Sequence, residues 1–248
     1  VAVVFHTARR LSGSIWGGMA AALTLGSATT FWATATKASI RPLTAFFAAL
    51  CVCALVEHRR QIVEQGSPSD RYLVIFAASL SLGLTHDTSL GFAATLFVAY
   101  LVLTDPALLR RPRRWLRPIV AFLLGLLVLV YLPLRGPPEL RTLPGFLHYF
   151  LGLGFRGDFL ALSLLRRLAI LPTLLRFQFN LALLLAMLLG ALLLLLLRRE
   201  RRLALLLVGS FLLYVVIYLT YRAPQTVEYL MPAYVPLALL AAVPAGQT

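Results

Sequence analysis

"LALLLAMLLGALLLLLL" (Leu181–Leu197) decides the class of this chain. The block carries no charge and, wound as a helix, has no polar face, as a segment surrounded by lipid must be. The rest of the sequence agrees. Of 248 residues 60% are hydrophobic and only 13% charged, with a mean hydropathy of +0.86. A soluble domain is about 45–50% apolar and about 25% charged. The chain reads as an all-α, polytopic integral membrane protein.

Further apolar runs flank the leucine block. Spans are expected at Ile15–Ala35, Pro42–Val56, Tyr72–Leu84, Ser89–Leu103, Pro118–Leu134, Leu203–Tyr221 and Tyr229–Val243, besides Leu181–Leu197 itself. Several fall short of the roughly 20 residues that a straight crossing needs. The chain opens on "VAVVFHTARR", with neither Met nor a signal-peptide pattern. "VAVVF" reads as the end of a helix begun upstream. The chain closes on "AAVPAGQT", directly after an apolar run. It is therefore expected to be a piece of a longer protein, with residues 1–248 forming a single transmembrane domain.

A net charge of +14 raises the question of nucleic acid, but the distribution answers it otherwise. More than half of the 23 Lys and Arg residues sit in four clusters at the ends of apolar runs. The clusters are Arg9 and Arg10; Arg59, Arg60 and Arg71; Arg110, Arg111, Arg113, Arg114 and Arg117; and Arg198, Arg199, Arg201 and Arg202. Each falls where strict alternation of the spans requires it, so the clustered side is cytoplasmic by the positive-inside rule. No nucleic-acid partner is expected. Cys51 and Cys53, two residues apart on a helix, face different ways and suit neither a disulfide nor a metal.

The opposite, non-cytoplasmic face holds the tight turn "LTHDT" (84–88), the segments "ATKASIRP" (35–42) and "RAPQTVEY" (222–229), and a long loop over 135–180. Within that loop "FLHYFLGLGF" and "LLRRLAILPTLLRF" read as amphipathic helices lying in the membrane interface. "GLGFRG" (152–157) reads as a flexible loop. Asp87, Glu139, Asp158 and Glu228 are the acids of this face. Its bases are Lys37, Arg41, Arg135, Arg141, Arg156, Arg166, Arg167, Arg176 and Arg222. Arginine on this side runs against the topogenic trend. Either it grips an anionic ligand such as the phosphate of a lipid carrier, or it lies against lipid headgroups. Arg135 follows "YLPL" at a helix end and is the strongest ligand candidate. His86 and Asp87 either line a cavity or serve the turn, Asp87 as a cap for the helix from Ser89 onward. No HExxH, CxxC, P-loop, GxGxxG or GxSxG is present. No metal and no cofactor are expected.

"TTFWATATKASIRPLTAFFAAL" (29–50), "LTHDT" (84–88), "YLPLR" (131–135), "TLPGFLHYFLG" (142–152) and "VEYLMPAYVPLALLA" (227–241) together resemble, in order, polytopic glycosyltransferases of the GT-C fold. In particular they resemble a large bacterial family of membrane proteins of unknown function. That family is related to the eukaryotic transmembrane O-mannosyltransferase of plexin-type domains. The resemblance implies a GT-C helical bundle that moves a sugar, mannose by analogy, from a polyprenyl-phosphate carrier to a protein or glycan acceptor. It implies that Arg135 holds the lipid phosphate and that His86 orients the phosphate or the sugar; Asp87, Arg41 and His148 complete the expected lipid-phosphate and sugar site. It places the general base on an external loop ahead of Val1. Where the family has Ala-Glu-Val-Tyr this chain reads "ASIR", so Ser39 replaces the Glu and Arg41 the Tyr. That departure leaves a second expectation standing: a non-catalytic protein that binds or translocates the lipid-linked sugar.

Overall fold

The computed structural model describes residues 1–37, 39–66, 69–197, 200–222 and 226–246. Arg198 and Arg199, and the side chain of Arg156, lie outside the described residues. Helices stand wherever the apolar runs stand. They are α1 (Ala2–Ser12), α2 (Ile15–Gly26), α3 (Thr29–Ala35), α4 (Arg41–Gln65), α5 (Arg71–His86), α6 (Leu90–Thr104), α7 (Ala107–Arg110) and α8 (Leu116–Leu126). They continue through α9 (Tyr131–Arg135), α10 (Leu143–Phe150), α11 (Leu164–Leu168), α12 (Leu171–Gln178), α13 (Leu181–Leu196), α14 (Arg201–Thr220), α15 (Thr226–Tyr229) and α16 (Met231–Ala242). There is no strand among the described residues.

Three stretches are long and apolar enough to cross a bilayer: Arg41–Gln65, Pro112–Arg135 and Arg201–Thr220. A fourth candidate is the pair Leu164–Gln178 and Leu181–Leu196, bent by 116°. The protein is thus an all-α, polytopic integral membrane protein. Three of the expected spans and one expected loop need adjustment. Ile15–Ala35 is not one helix, because Ala28 turns extended and divides α2 from α3. The span expected to end at Val56 runs nine residues further, to Gln65, because its charged tail finds partners and stays helical. Pro118–Leu134 starts earlier, a 3-10 turn at Pro112–Trp115 leading into α8. And "GLGFRG" is no open loop: Gly152 turns left-handed (φ 62°), and Leu153–Asp158 form a 3-10 turn.

α16 is the axis of the bundle. Every one of its residues is buried, and it packs against α1, α2, α4, α13 and α14. Being apolar on all sides, it can be buried without stranding a polar group. Its approach to α13 is set by Gly190, where any Cβ would strike the carbonyl oxygen of Leu240. Small residues at such crossings let the two backbones touch. The periphery looks different. The run from Pro112 to Arg135 packs chiefly on α5 and turns Ile119, Val120, Leu123, Leu124, Leu127 and Val128 outward. Its one close approach is at Gly125, which admits Ser81 of α5 and leaves no room for a Cβ.

The two ends of the bundle differ in chemistry. At the arginine-rich end the charges pair. His58 Nε2 lies 3.1 Å from Asp105 Oδ2, and Arg114 bridges Asp105 and Asp70 at 2.8 Å each. His58 is only 1% exposed, so this network ties α4, α5, α6 and the start of α8 together in the interior. Glu57 takes both His6 and Arg10, and Glu200 takes Arg59. The other end carries the turns that the sequence singles out.

Candidate functional site

His86 is the last residue of α5, and the chain leaves the helix at Asp87. Arg41 is the first residue of α4. Because α4 and α5 are packed antiparallel neighbours, the two helix ends meet. Asp87 Oδ2 accepts from Arg41 Nη1 at 3.0 Å and from Thr44 Oγ1 at 3.2 Å. Its Oδ1 accepts from the backbone N–H of Ser89 at 2.9 Å, at the threshold of α6. One carboxylate therefore joins α4 to the turn between α5 and α6. The side chains of Arg41 and Asp87 are 12% and 13% exposed, so the pair is largely shielded from solvent and correspondingly strong.

His86 makes a different bond. Its Nε2 lies 2.8 Å from the carbonyl oxygen of Ile40. A carbonyl can only accept, so Nε2 carries a hydrogen, and a neutral ring presents Nδ1 as an acceptor. Ser39, where the family pattern has Glu, accepts the backbone N–H of Arg41 on its Oγ at 3.3 Å. It serves there as a local brace for the start of α4.

Arg41 has a second partner that the sequence does not reveal. Its guanidinium carbon stands 3.7 Å above the ring of Tyr229, a cation–π contact. Tyr229 in turn lies 5.4 Å from Tyr218 and 5.5 Å from Tyr221, centroid to centroid. Tyr221 stacks on Phe159 at 4.8 Å, and Phe159 meets Phe92 edge-on. A continuous aromatic path thus runs from α6 through the long loop to α15. The loop is stitched down beside it by two backbone bonds, Leu162 N–H to Thr220 O and Arg222 N–H to Asp158 O. Its far end is held by Gln178, which is buried. Gln178 Oε1 accepts from the Thr30 N–H at 2.8 Å while its Nε2 donates to Thr30 Oγ1 at 2.6 Å. These contacts bring "TTFW" under the long loop, with Trp32 facing outward.

The sequence-derived site residues divide into two groups. Arg41, His86 and Asp87 come together. Arg135, at the end of α9, and His148, on α10, are exposed and form no side-chain hydrogen bond or ion pair among the described residues. Between α8–α9 and α10 lies an apolar groove of about 510 Å³, lined by Leu126, Val130, Pro133, Leu143, Phe146 and Leu147 among others, with Arg141 on its wall. Tyr229, Thr44 and Gln178 are the residues that sequence reasoning passed over. Only Tyr229 carried a signal, as the first residue of the quoted "YLMPAY". Among the described residues no three His, Cys, Asp or Glu side chains are placed to hold a metal ion.

A family model described as the protein O-mannosyl-transferase TMEM260 N-terminal domain matches residues 4–127. No curated protein and no solved structure matches the chain. The matched stretch runs from α1 into the 3-10 turn that follows α8, so it contains Arg41, His86 and Asp87, while Arg135, His148 and Tyr229 lie beyond it. Covering half of the chain and the whole Arg41–His86–Asp87 junction, that match makes this protein a member of the family of the protein O-mannosyl-transferase TMEM260 N-terminal domain.

Proposed function

We propose that the protein is a membrane glycosyltransferase of GT-C type, moving mannose from a polyprenyl-phosphate carrier to a hydroxyl of a protein or glycan acceptor on the non-cytoplasmic side of a bacterial inner membrane. The observation that carries this reading is the convergence of Arg41, His86 and Asp87, all within the matched stretch, at the end of the bundle away from the arginine clusters.

In the reaction the acceptor oxygen attacks the anomeric carbon of the donor. The bond from that carbon to the phosphate oxygen breaks, and its electron pair stays on the phosphate. The hydroxyl proton passes to a general base. Charge therefore builds on the leaving phosphate, where fixed cations lower the barrier most. Arg41 is already neutralised by Asp87 and braced by Tyr229, which suits it to shape the site rather than to capture an anion. Arg135 has no carboxylate partner among the described residues and is our phosphate ligand. The apolar groove beside α9 fits the first isoprene units of the carrier. His86, whose Nε2 is bound to the Ile40 carbonyl, has Nδ1 left for a sugar hydroxyl, and His148 lines the same donor site. Asp87, with three donors on its two oxygens, is a poor base. We keep the base on an external loop ahead of Val1, as the resemblance implies.

The test is mannose transfer by the full-length protein in liposomes, with a synthetic polyprenyl-phosphate mannose and an acceptor peptide. Arg135→Ala should abolish transfer and leave membrane insertion intact; undiminished transfer would remove Arg135 from the mechanism. One observation favours a second reading. Ser39 stands in place of the family Glu and is engaged with the backbone of Arg41. Saturable donor binding with no turnover by the full-length protein would identify a lipid-linked-sugar binder or translocator instead.

A further inference from the structure

At the arginine-rich end, where α1, α4, α13 and α16 terminate and α14 begins, there is a second cavity of about 360 Å³. Its lining is divided. Arg10, Arg59, Arg60, Glu64, Glu200 and Ser12 supply charge and polarity, whereas the rest is aliphatic, with Leu11, Val63, Leu194 and Leu203 among it. The arginines are only partly committed. Arg10 meets Glu57 through Nε at 3.0 Å, and Arg60 meets Glu64 through Nε at 2.6 Å. Neither donates a hydrogen bond through its Nη groups to a described residue. Arg59 gives Nη2 to both oxygens of Glu200.

We propose that this cavity holds the headgroup of an anionic phospholipid. Two uncommitted guanidinium forks on adjacent helices match the oxygens of a phosphate. A soluble anion would have no use for the aliphatic half of the wall, which suits the glycerol and first methylenes of a lipid. The acyl chains would continue along α13, whose Leu185, Leu188, Leu192 and Leu195 face outward. The arginine clusters put this end at the cytoplasmic leaflet, where anionic lipids are concentrated, and basic pockets between helix ends on that side are known to take such headgroups. The site lies at the opposite end of the bundle from the proposed donor site and does not depend on that reading.

The full-length protein, delipidated in detergent, is titrated with phosphatidylglycerol, phosphatidylcholine or inorganic phosphate. Bound lipid is followed by native mass spectrometry and stability by thermal unfolding. Phosphatidylglycerol should bind and raise the melting temperature, whereas phosphatidylcholine and inorganic phosphate should do neither. The double variant Arg10→Gln/Arg60→Gln should bind phosphatidylglycerol about tenfold more weakly, the size expected for losing charge-assisted hydrogen bonds. Arg10→Lys/Arg60→Lys keeps the charge and loses the forks; it should show a smaller loss and decides the matter if the Gln pair does not fold. Equal retention of phosphatidylcholine overturns the proposal, as does equal stabilisation by inorganic phosphate. So does unweakened phosphatidylglycerol binding in a folded Gln variant or, where that variant does not fold, in the Lys variant.

Discussion

Asp87 is held from three directions, and its removal should show on both stability and activity. Asp87→Asn leaves Arg41 shielded from solvent without a counter-charge, at a cost of about 3 kcal/mol. It should also free the guanidinium from its place over Tyr229. Thermal unfolding in detergent measures the first effect and mannose transfer the second. Arg135→Ala is the contrasting case: Arg135 touches no partner among the described residues, so stability should move by less than about 0.5 kcal/mol while transfer is lost. Alternation of the spans puts 35–42 and 84–88 on the same side, so the sequence assigns His86, Asp87 and Arg41 to one face, and in the structure they meet there. It could not reveal that Arg41 and Asp87 satisfy one another. A pair so far apart in the chain is made by helix packing, to which no local pattern points.

Among the elements, α13 and α16 stand or fall on one contact. At Gly190 an added methyl group meets the backbone of Leu240, which cannot move aside as a side chain could. Gly190→Ala should therefore cost about 1–3 kcal/mol, as overpacking does. Gly209→Ala is the control. A Cβ there would meet only Leu side chains, at 3.4 Å and beyond, and stability should change by no more than about 1 kcal/mol. The far end of the long loop is anchored by Gln178 on Thr30. Gln178→Ala removes both bonds to Thr30, a loss of about 1–3 kcal/mol, and should speed amide hydrogen exchange across 164–178 before any other part of the fold. Periodicity, a local property, points to helix in this loop but not to its breaks: the first expected helix ends at Phe150, ahead of the left-handed Gly152, and the second divides into α11 and α12. The stitching at Thr30, Thr220 and Arg222 is non-local and left no trace.

For the molecule as a whole, the difference between its ends is the feature to test. In a background where Cys51 and Cys53 are replaced by Ala, a single cysteine at Thr142 should react with a membrane-impermeant maleimide added to intact cells. A cysteine at Ser69 should react only after the cells are broken. Reversed labelling would invert the assignment of the donor site to the outer face. The span limits drawn from the sequence erred in one direction at Val56, where a helix was ended because Glu57, His58, Arg59 and Arg60 looked like a loop. In the folded protein these charges meet Arg10, Asp105, Glu200 and Glu64, so the helix continues to Gln65 with its charges paired.

Hydrophobicity and the placing of arginine were enough to establish an all-α polytopic membrane protein and the order of its helices. Both are summed over many residues, and lipid leaves a chain with so little charge few alternatives. Which helix forms the axis, which arginine is neutralised and which has no carboxylate partner among the described residues were settled by packing. Those outcomes turn on single contacts between distant segments, such as Gly190 against Leu240, Asp87 against Arg41 and Arg41 over Tyr229. Their geometry exists only once the helices have come together.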